Sequence, residues 1–380
     1  MRLLFVASRL HPNYTDSLRA FAAKHELEIL VAWQAENERH EGLSLSNFPD
    51  GLISRLMKSF YRRAGIAPEQ IAYRKRHPSL LWLMSFIRKH HIDTVYARRD
   101  NKHLLRTARL AARLTRCQFV TYRQEIFDPD KEMDSVAIYP LSAALVRSEP
   151  PANFIPLAID LTRIPKPVPV PQYVAGSGEP LRIIAVGKLI ERKGHQLLIE
   201  AAAMLRDRLP LQVSIYGAYS TFHAKEWGQQ IAEMVAACDL QDCVTLMPNI
   251  TPKVMLDEYK RHHLFVYSGW VGRERDLGSE TYVRANGQCG TCLNSLIEAM
   301  AVGLPIICAA EKHVLGSVEN GGNGLVFQKG DAADLAAKIE TIATMDLASM
   351  GRRSRSLIET YHNAKDFPVR FEWLVNSLGM

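Results

Sequence analysis

Short apolar runs and helix-length apolar stripes alternate along most of this chain. In the second half, residues 181–186, 211–216, 244–247, 264–267 and 305–309 are apolar runs of strand length. Between them, apolar positions recur at helical spacing. The clearest case is 195–208, where Leu197, Leu198, Ala201, Ala202 and Leu205 share one helical face. Further helices are expected near 226–238, 253–260, 294–303 and 332–344. The first half repeats the alternation with more polar interruptions, giving strands at 3–7, 27–32, 94–96 and 119–122 and helices at 16–24, 52–63, 79–90 and 102–115. Strands that alternate with helices predict parallel sheets covered on both faces, with ligands at the carboxyl ends of the strands. The closing segment 367–378 carries Phe371, Trp373, Leu374 and Leu378 at helical spacing and could pack back across the junction between the halves.

Residues 163–180 separate the halves. Pro165, Pro167, Pro169 and Pro171 hold this stretch extended, and Gly176 and Gly178 loosen its end. The expected organisation is an N-terminal domain over 1–165, a Pro-rich linker over 166–180, a C-terminal domain over 181–365 and a last helix over 366–380. At 380 residues the chain is too long for one typical core and suits two. No short-period repeat is present, so the expected fold class is α/β with two doubly wound, Rossmann-like parallel-sheet domains.

Composition changes this picture little, because 47% hydrophobic and 23% charged residues are ordinary for a globular protein. No apolar run approaches the roughly 18–20 residues of a membrane span. The apolar start at residues 1–8 is too short for a signal peptide, so a cytoplasmic location is expected. Charge placement says more. Residues 1–165 hold 25 Lys+Arg against 17 Asp+Glu, a net of +8, and the chain totals of 47 and 40 leave 22 against 23 for the remainder. A basic half raises the local concentration of anionic partners such as lipid diphosphates, an anionic membrane or nucleic acid. The basic run Arg74-Lys-Arg76 is too short to carry nucleic-acid binding, which is therefore not expected. Cys289 and Cys292 have metal-ligand spacing, and Cys238 and Cys243 could complete four ligands. The latter pair flanks a helix end, so reduced thiols are favoured and no metal is expected.

Two segments carry candidate chemistry. Asn294-Ser-Leu-Ile-Glu-Ala-Met-Ala-Val-Gly-Leu-Pro-Ile-Ile-Cys308 reads as a loop, a short helix, a Gly-Leu-Pro stop and a buried parallel strand. Unpaired amides and the positive dipole end at the start of that helix suit a phosphate. Glu298 sits one turn in, on the side a ribose would take if the phosphate belonged to a nucleotide. Ser295 and Glu298 also fit a capping box worth about 1 kcal/mol, a purely structural alternative. The second segment, Val186-Gly-Lys-Leu-Ile-Glu-Arg-Lys-Gly194, offers Lys188 and Lys193 between glycines after an apolar strand. Solvated loop lysines are the bland alternative, and phosphate contact is favoured by the strand-to-helix setting. Together the segments suggest a site for a nucleoside diphosphate. A dinucleotide dehydrogenase is not expected, since no strand is followed by G-x-G-x-x-G.

The second half resembles the retaining GT-B glycosyltransferases of family 4, the glycosyl transferases group 1. The resemblance rests on Val186-Gly-Lys-Leu189 with Lys193-Gly194, Ile215-Tyr-Gly217, Leu264-Phe-Val-Tyr-Ser268, Asn294 to Pro305 and Asn320-Gly-Gly-Asn-Gly-Leu-Val326. Asn153 to Asp160 is similar to the family's segment before the linker. The resemblance implies two domains facing across a cleft, a nucleotide-sugar donor held mainly by the second domain and a glycan or lipid-linked acceptor held by the first. It further implies a sugar transferred to an acceptor hydroxyl with retention, without metal or cofactor, in polysaccharide, lipopolysaccharide or other glycoconjugate synthesis. Carried over by residue, it implies Lys188 and Lys193 on the diphosphate, Glu298 on the ribose and the amides at Ser295 and Leu296 on phosphate. Gly187 and Gly217 complete the implied donor site, and Thr291 and Asn294 are candidates equally for donor contact and for capping the helix. Lys188 stands where arginine is commoner, so a bidentate fork becomes a point charge.

Two positions depart from the family pattern. Gly290 stands where a second glutamate would touch the donor sugar, and Glu280 or Glu274 in the insertion-like stretch 269–289 could substitute. Thr121-Tyr-Arg-Gln-Glu125 stands where a cleft histidine is usual. These departures motivate a second reading, a non-catalytic nucleotide-sugar-binding partner of an active transferase. On the acceptor side, Arg9, His11, Arg98, Arg99, Tyr122, Arg123 and Glu125 follow or end strands at the expected ligand edge. Helix 52–63 has Leu52, Ile53, Leu56, Met57 and Phe60 on one side and Arg55, Lys58, Arg62 and Arg63 around it. Packing against the core with a basic outer face is the favoured expectation, and peripheral contact with an anionic membrane is the alternative.

Overall fold

A computed structural model describes residues 1–10, 12–34, 42–63, 76–98, 101–122, 157–164, 171–217, 222–248, 252–269, 294–310 and 317–378. These fall into two compact units, and the chain leaves the first at 160–161 and returns to it at 362–363.

The first unit is built on a parallel sheet of β1 (Arg2–Ala7), β2 (Glu26–Val31), β3 (Leu45–Asn47), β4 (Thr94–Arg98) and β5 (Gln118–Tyr122), in the order β3-β2-β1-β4-β5. Its helices are α1 (Pro12–Ala22), α2 (Leu52–Arg63), α3 (Leu80–Lys89) and α4 (Lys102–Thr115). The two-residue period of a strand sorts β1 cleanly. Leu3, Phe5 and Ala7 face one core with Leu18 and Phe21 of α1, while Leu4 and Val6 face the other with Leu83 of α3 and Leu104 of α4. Helix α1 starts four residues before its expected beginning, because Pro12 opens it rather than breaking it; a proline lacks only an N–H that the first turn leaves unused.

The second unit alternates β6 (Leu181–Val186), α5 (His195–Leu205), β7 (Leu211–Gly217), α6 (Phe222–Ala237), β8 (Val244–Pro248), α7 (Pro252–Lys260), β9 (Leu264–Tyr267), α8 (Asn294–Val302), β10 (Ile306–Ala309), β11 (Gly324–Phe327), α9 (Ala332–Ala343) and α10 (Leu347–Tyr361). All neighbours pair in parallel in the order β11-β10-β9-β6-β7-β8. The strand order reverses between β1 and β4 in the first sheet and between β6 and β9 in the second. Those are the points where helices diverge to opposite faces and leave a crevice at the carboxyl edge.

Helix α10 was not expected from the periodicity, because its buried side includes Gly351 and Ser354 beside Met350, Leu357 and Ile358. The small residues permit close approach to α8: a Cβ on Gly351 would overlap the carbonyl oxygen of Gly303. Arg355 then donates to the Ala301 carbonyl at 2.7 Å and to the Ile164 carbonyl at 3.0 Å, and pairs with Glu359 at 2.6 Å. The bond to Ala301 thereby satisfies an acceptor that the end of α8 leaves open.

Helix α2 corrects the favoured expectation. Three of its apolar residues do not enter the core: Leu52, Leu56 and Phe60 are exposed at 73%, 66% and 64%, whereas Ser54 is buried. The last helix, α11 (Phe367–Leu378), belongs to the first unit. Phe371 is fully buried there, with ring centroids 5.9 Å from Phe21 and 5.2 Å from Tyr96, and Phe367, Leu374 and Val375 share its cluster. Truncating Phe371 to alanine is expected to destabilise the first unit by about 3–5 kcal/mol, read as a lower denaturant midpoint.

Candidate functional site

The carboxyl edge of the second sheet brings three chain turns into backbone contact. After β6 the chain turns at Gly187, runs through a 3-10 turn at Glu191–Lys193 and enters α5 through Gly194. Gly187 is held by its N–H, which donates to the Tyr216 carbonyl at 2.9 Å. Gly194 has φ +71°, and a Cβ there would overlap the Ser268 carbonyl at the end of β9. Only glycine meets both demands. A Cβ on Gly217 would lie 2.6 Å from the Gly187 carbonyl oxygen and 2.5 Å from Leu189, so the absent side chain is what lets the β6 loop close over β7.

Lys193 threads through this arrangement. Its stem lies against Gly187, where a Cβ would sit 3.2 Å from Cδ, and its ammonium stands 5.5 Å from the centre of the Tyr267 ring. Its carbonyl accepts the Ser268 hydroxyl at 3.4 Å. Lys193 is half-buried and Lys188 is exposed, both on the loop after β6. The loop therefore presents two cations at the crevice between β6 and β9.

His195, immediately after Gly194, is a site residue that sequence reasoning missed. It is buried, and neither ring nitrogen makes a well-formed hydrogen bond. Burial lowers its pKa to about 4, the Lys193 charge acts in the same direction, and the backbone of Gly187 and Lys188 opposes them weakly. The imidazole is neutral near pH 7 and adds no positive charge beneath the lysines.

Helix α8 supplies the other wall. As a crossover between the parallel strands β9 and β10, it begins at the carboxyl edge of the sheet. Asn294 and Ser295 are half-buried in its first turn and Leu296 is buried. Glu298, one turn in, accepts the Tyr259 hydroxyl on Oε2 at 3.3 Å. Tyr259 is fully buried, and burial first, then the Glu298 charge, raise its pKa well above the ordinary value. It remains a hydroxyl donor and fixes the carboxylate. Tyr259 was also missed, since a lone tyrosine in a short helix carries no motif.

On the first sheet, Arg9 follows β1 and Arg98 ends β4, the two strands at its reversal point. Arg9 lies 5.8 Å from the Trp33 ring centre and Arg98 5.3 Å from that of Tyr14. Tyr122 ends β5 opposite Arg98 in the register. His11, Arg99, Arg123, Glu125, Glu274, Glu280, Gly290 and Thr291 lie outside the described residues, as do Cys289, Cys292 and most of the stretch 269–289. Cys238 and Cys243 are free thiols, and Cys243 donates to the Leu240 carbonyl at 3.6 Å.

Comparison with known proteins agrees with the fold. Residues 174–359 match the family model for glycosyl transferases group 1, which spans most of the second unit and supports a group 1 glycosyltransferase. The chain is 26% identical over 211 residues to the putative colanic acid biosynthesis glycosyltransferase WcaL of Escherichia coli K12, covering 53% of this chain and 45% of WcaL. It is 28% identical over 191 residues to the amylovoran biosynthesis glycosyltransferase AmsK of Erwinia amylovora, covering 49% of this chain and 42% of AmsK. The chain thus spans about half the length of the curated relatives it matches. In structure it is similar to Anabaena HepE in complex with UDP and glucose, with a TM-score of 0.68, 13% identity and coverage of 99% of this chain and 100% of that one. The fold is that of the GT-B glycosyltransferases, two parallel-sheet α/β domains in one chain.

Two outcomes test the site's construction. Gly194→Ala combines a left-handed φ, worth about 1–2 kcal/mol, with backbone overlap, so the melting temperature should fall clearly further than for Gly176→Ala, which shares a positive φ of +79° but whose Cβ would meet nothing within 4 Å. His195, with a folded pKa of about 4 against 6.5 unfolded, leaves stability intact above pH 6.5 and lowers it as the unfolded chain alone takes up a proton. That loss reaches about 3 kcal/mol by the folded pKa. Urea unfolding at about pH 7 and about pH 4.5 should show a smaller acid loss for His195→Gln than for the parent.

Proposed function

We propose that the protein is a retaining glycosyltransferase, moving a sugar from a nucleoside diphosphate sugar to an acceptor hydroxyl of a growing glycan or lipid-linked saccharide. The observation that carries this reading is the loop of Lys188 and Lys193, walled by glycine backbone, at the β6–β9 reversal point from whose carboxyl edge α8 begins. Cations, helix amides and a carboxylate one turn into the helix are what a diphosphate with an attached ribose requires. The UDP and glucose of HepE, and the polysaccharide roles of WcaL and AmsK, support the same donor class and product class.

The reaction breaks the bond between the anomeric carbon and the diphosphate oxygen and forms one to the acceptor oxygen on the same face. The acceptor proton passes to the departing diphosphate, so no dedicated protein base is needed. Lys188, Lys193 and the amides of Asn294, Ser295 and Leu296 offset the charge that grows on the leaving group. Glu298, held by Tyr259, accepts the ribose hydroxyls. Gly217 lets the Gly187 backbone approach and Gly187 leaves room for the Lys193 stem. Thr291 is proposed to touch the donor, Gly290 stands where the family pattern has a sugar-contacting glutamate, and Glu280 is proposed to substitute for that glutamate. Because two lysines supply the positive charge, the reaction is proposed to need no metal. Arg9, His11, Arg98, Tyr122, Arg123 and Glu125 are proposed to receive the acceptor on the first unit, with the protein peripheral at the inner face of a membrane.

The second reading, a donor-binding partner without turnover, rests on Gly290 in place of a glutamate. Incubation with labelled nucleotide sugars and acceptor extracts separates the two. Transfer that persists in EDTA, with the product's anomeric proton matching the donor's configuration, is expected; donor binding without turnover would select the second reading. Lys193→Ala should weaken UDP binding by about ten- to a hundred-fold in titration calorimetry. Unchanged affinity in a folded variant would remove Lys193 from the diphosphate site.

A further inference from the structure

Helix α2 is amphipathic in the inverted sense. At about 100° per residue, Leu52, Leu56 and Phe60 lie within about 80° of one another, and Ser54 lies about 120–160° away from them. Among the described side chains of the helix, Ser54 is buried, with 4% exposure, and the two leucines and the phenylalanine point to solvent. A helix recruited only by the protein core would show the opposite arrangement.

Its base is firmly attached. Asp50, just before the helix, receives Arg76 Nε at 2.6 Å and the Ser54 hydroxyl at 3.3 Å. Arg76 also donates to the Ala32 and Phe48 carbonyls. Gly51 donates its N–H to the His77 carbonyl at 3.1 Å, and a Cβ there would lie 3.0 Å from the backbone nitrogen of Ser79, the residue whose hydroxyl oxygen caps α3. The starts of α2 and α3 are therefore side by side. Leu81 of α3, exposed at 77%, leaves from that same edge. The apolar face is thus displayed from an anchored helix, with a fourth exposed apolar residue, Leu81, near its start.

Charge selects the occupant. Helix α2 contains Arg55, Lys58, Arg62 and Arg63 and no acidic residue, and Arg55 and Arg63 are exposed. The half of the chain that carries it holds the whole basic excess of +8, 25 cations against 17 anions. A second copy presenting the same face would bring like charges together, whereas an anionic surface would neutralise them. An apolar stripe two turns long, edged with cations and lying along the helix axis, matches the interfacial zone of a bilayer. We infer that α2, with Leu81, is a docking face for an anionic phospholipid bilayer, entered by Leu52, Leu56 and Phe60 and held by Arg55 and Arg63. This deepens the peripheral placement proposed for the transferase and names the surface responsible.

The test uses the full chain without nucleotide. It should co-sediment with vesicles of phosphatidylcholine plus phosphatidylglycerol, bind vesicles of phosphatidylcholine alone far less, and release as salt rises. The triple variant Leu52→Ser, Leu56→Ser, Phe60→Ser should lower the partition coefficient by at least about ten-fold, with circular dichroism and unfolding midpoint unchanged. The double variant Arg55→Glu, Arg63→Glu should lose a similar factor and most of the salt dependence, and it decides the matter if the triple variant does not fold. Equal binding to both vesicle types, or unaltered partition in the variants, overturns the inference. So does light scattering in which the parent is a dimer and the triple variant a monomer with vesicle binding intact, because the face would then belong to a second copy. UDP titration run in parallel keeps the two proposals apart: failure to bind UDP with vesicle binding retained counts against the transferase reading alone.

Discussion

Backbone must touch backbone at the carboxyl edge of the second sheet, and much of the site follows from that constraint. Gly194 lies against the Ser268 carbonyl, and Gly217 lies beneath the carbonyl of Gly187. Side chains at these positions would push the β6 loop away from β7 and β9 and carry Lys193 with it. The contact offers no large hydrophobic gain; it fixes position. Anion binding by a loop depends on that fixity, because hydrogen-bond donors and charges must already be in place before the charge on a leaving group develops.

The same edge shows how local chemistry is kept one-sided. Two lysines stand on the loop, and the imidazole directly behind them is held neutral by burial and by the Lys193 charge. A protonated histidine there would repel Lys193 and add an unpaired buried charge, so the low pKa and the lysine's position are consequences of one packing arrangement. Across from them, Tyr259 reaches Glu298 from a fully buried ring. A carboxylate that already accepts a hydroxyl from the protein is restricted in rotation.

Much of this was legible in the residues. The parallel α/β class, the strands of both halves and the Gly-Lys and Asn-Ser segments carry strong period and turn signals, because buried parallel strands read as continuous apolar runs. Strand β3 is three residues long and at an edge, so it leaves almost no pattern. Helix α10 buries glycine and serine against α8, and a rule that looks for large apolar residues passes over it. His195 and Tyr259 were missed for a related reason. Their importance comes from what surrounds them after folding, and neither spacing nor composition encodes a desolvated ring or a single hydroxyl contact.

Helix α2 is the instructive disagreement. The pattern of Leu52, Leu56 and Phe60 states only that one face is apolar; it does not state which side the protein takes. The anchoring of Asp50 by Arg76 and Ser54 decides the rotation, because it turns Ser54 inward and so turns the leucines outward. Amphipathic periodicity therefore has two solutions wherever a helix borders both a core and another apolar phase, and short polar contacts at the helix start select between them. For a chain whose basic excess lies in the same half, selecting the outward solution gives hydrophobic and electrostatic attraction a common surface. Neither attraction alone would set the orientation of the unit on a bilayer, whereas the proposed docking face, an anchored helix carrying both, would.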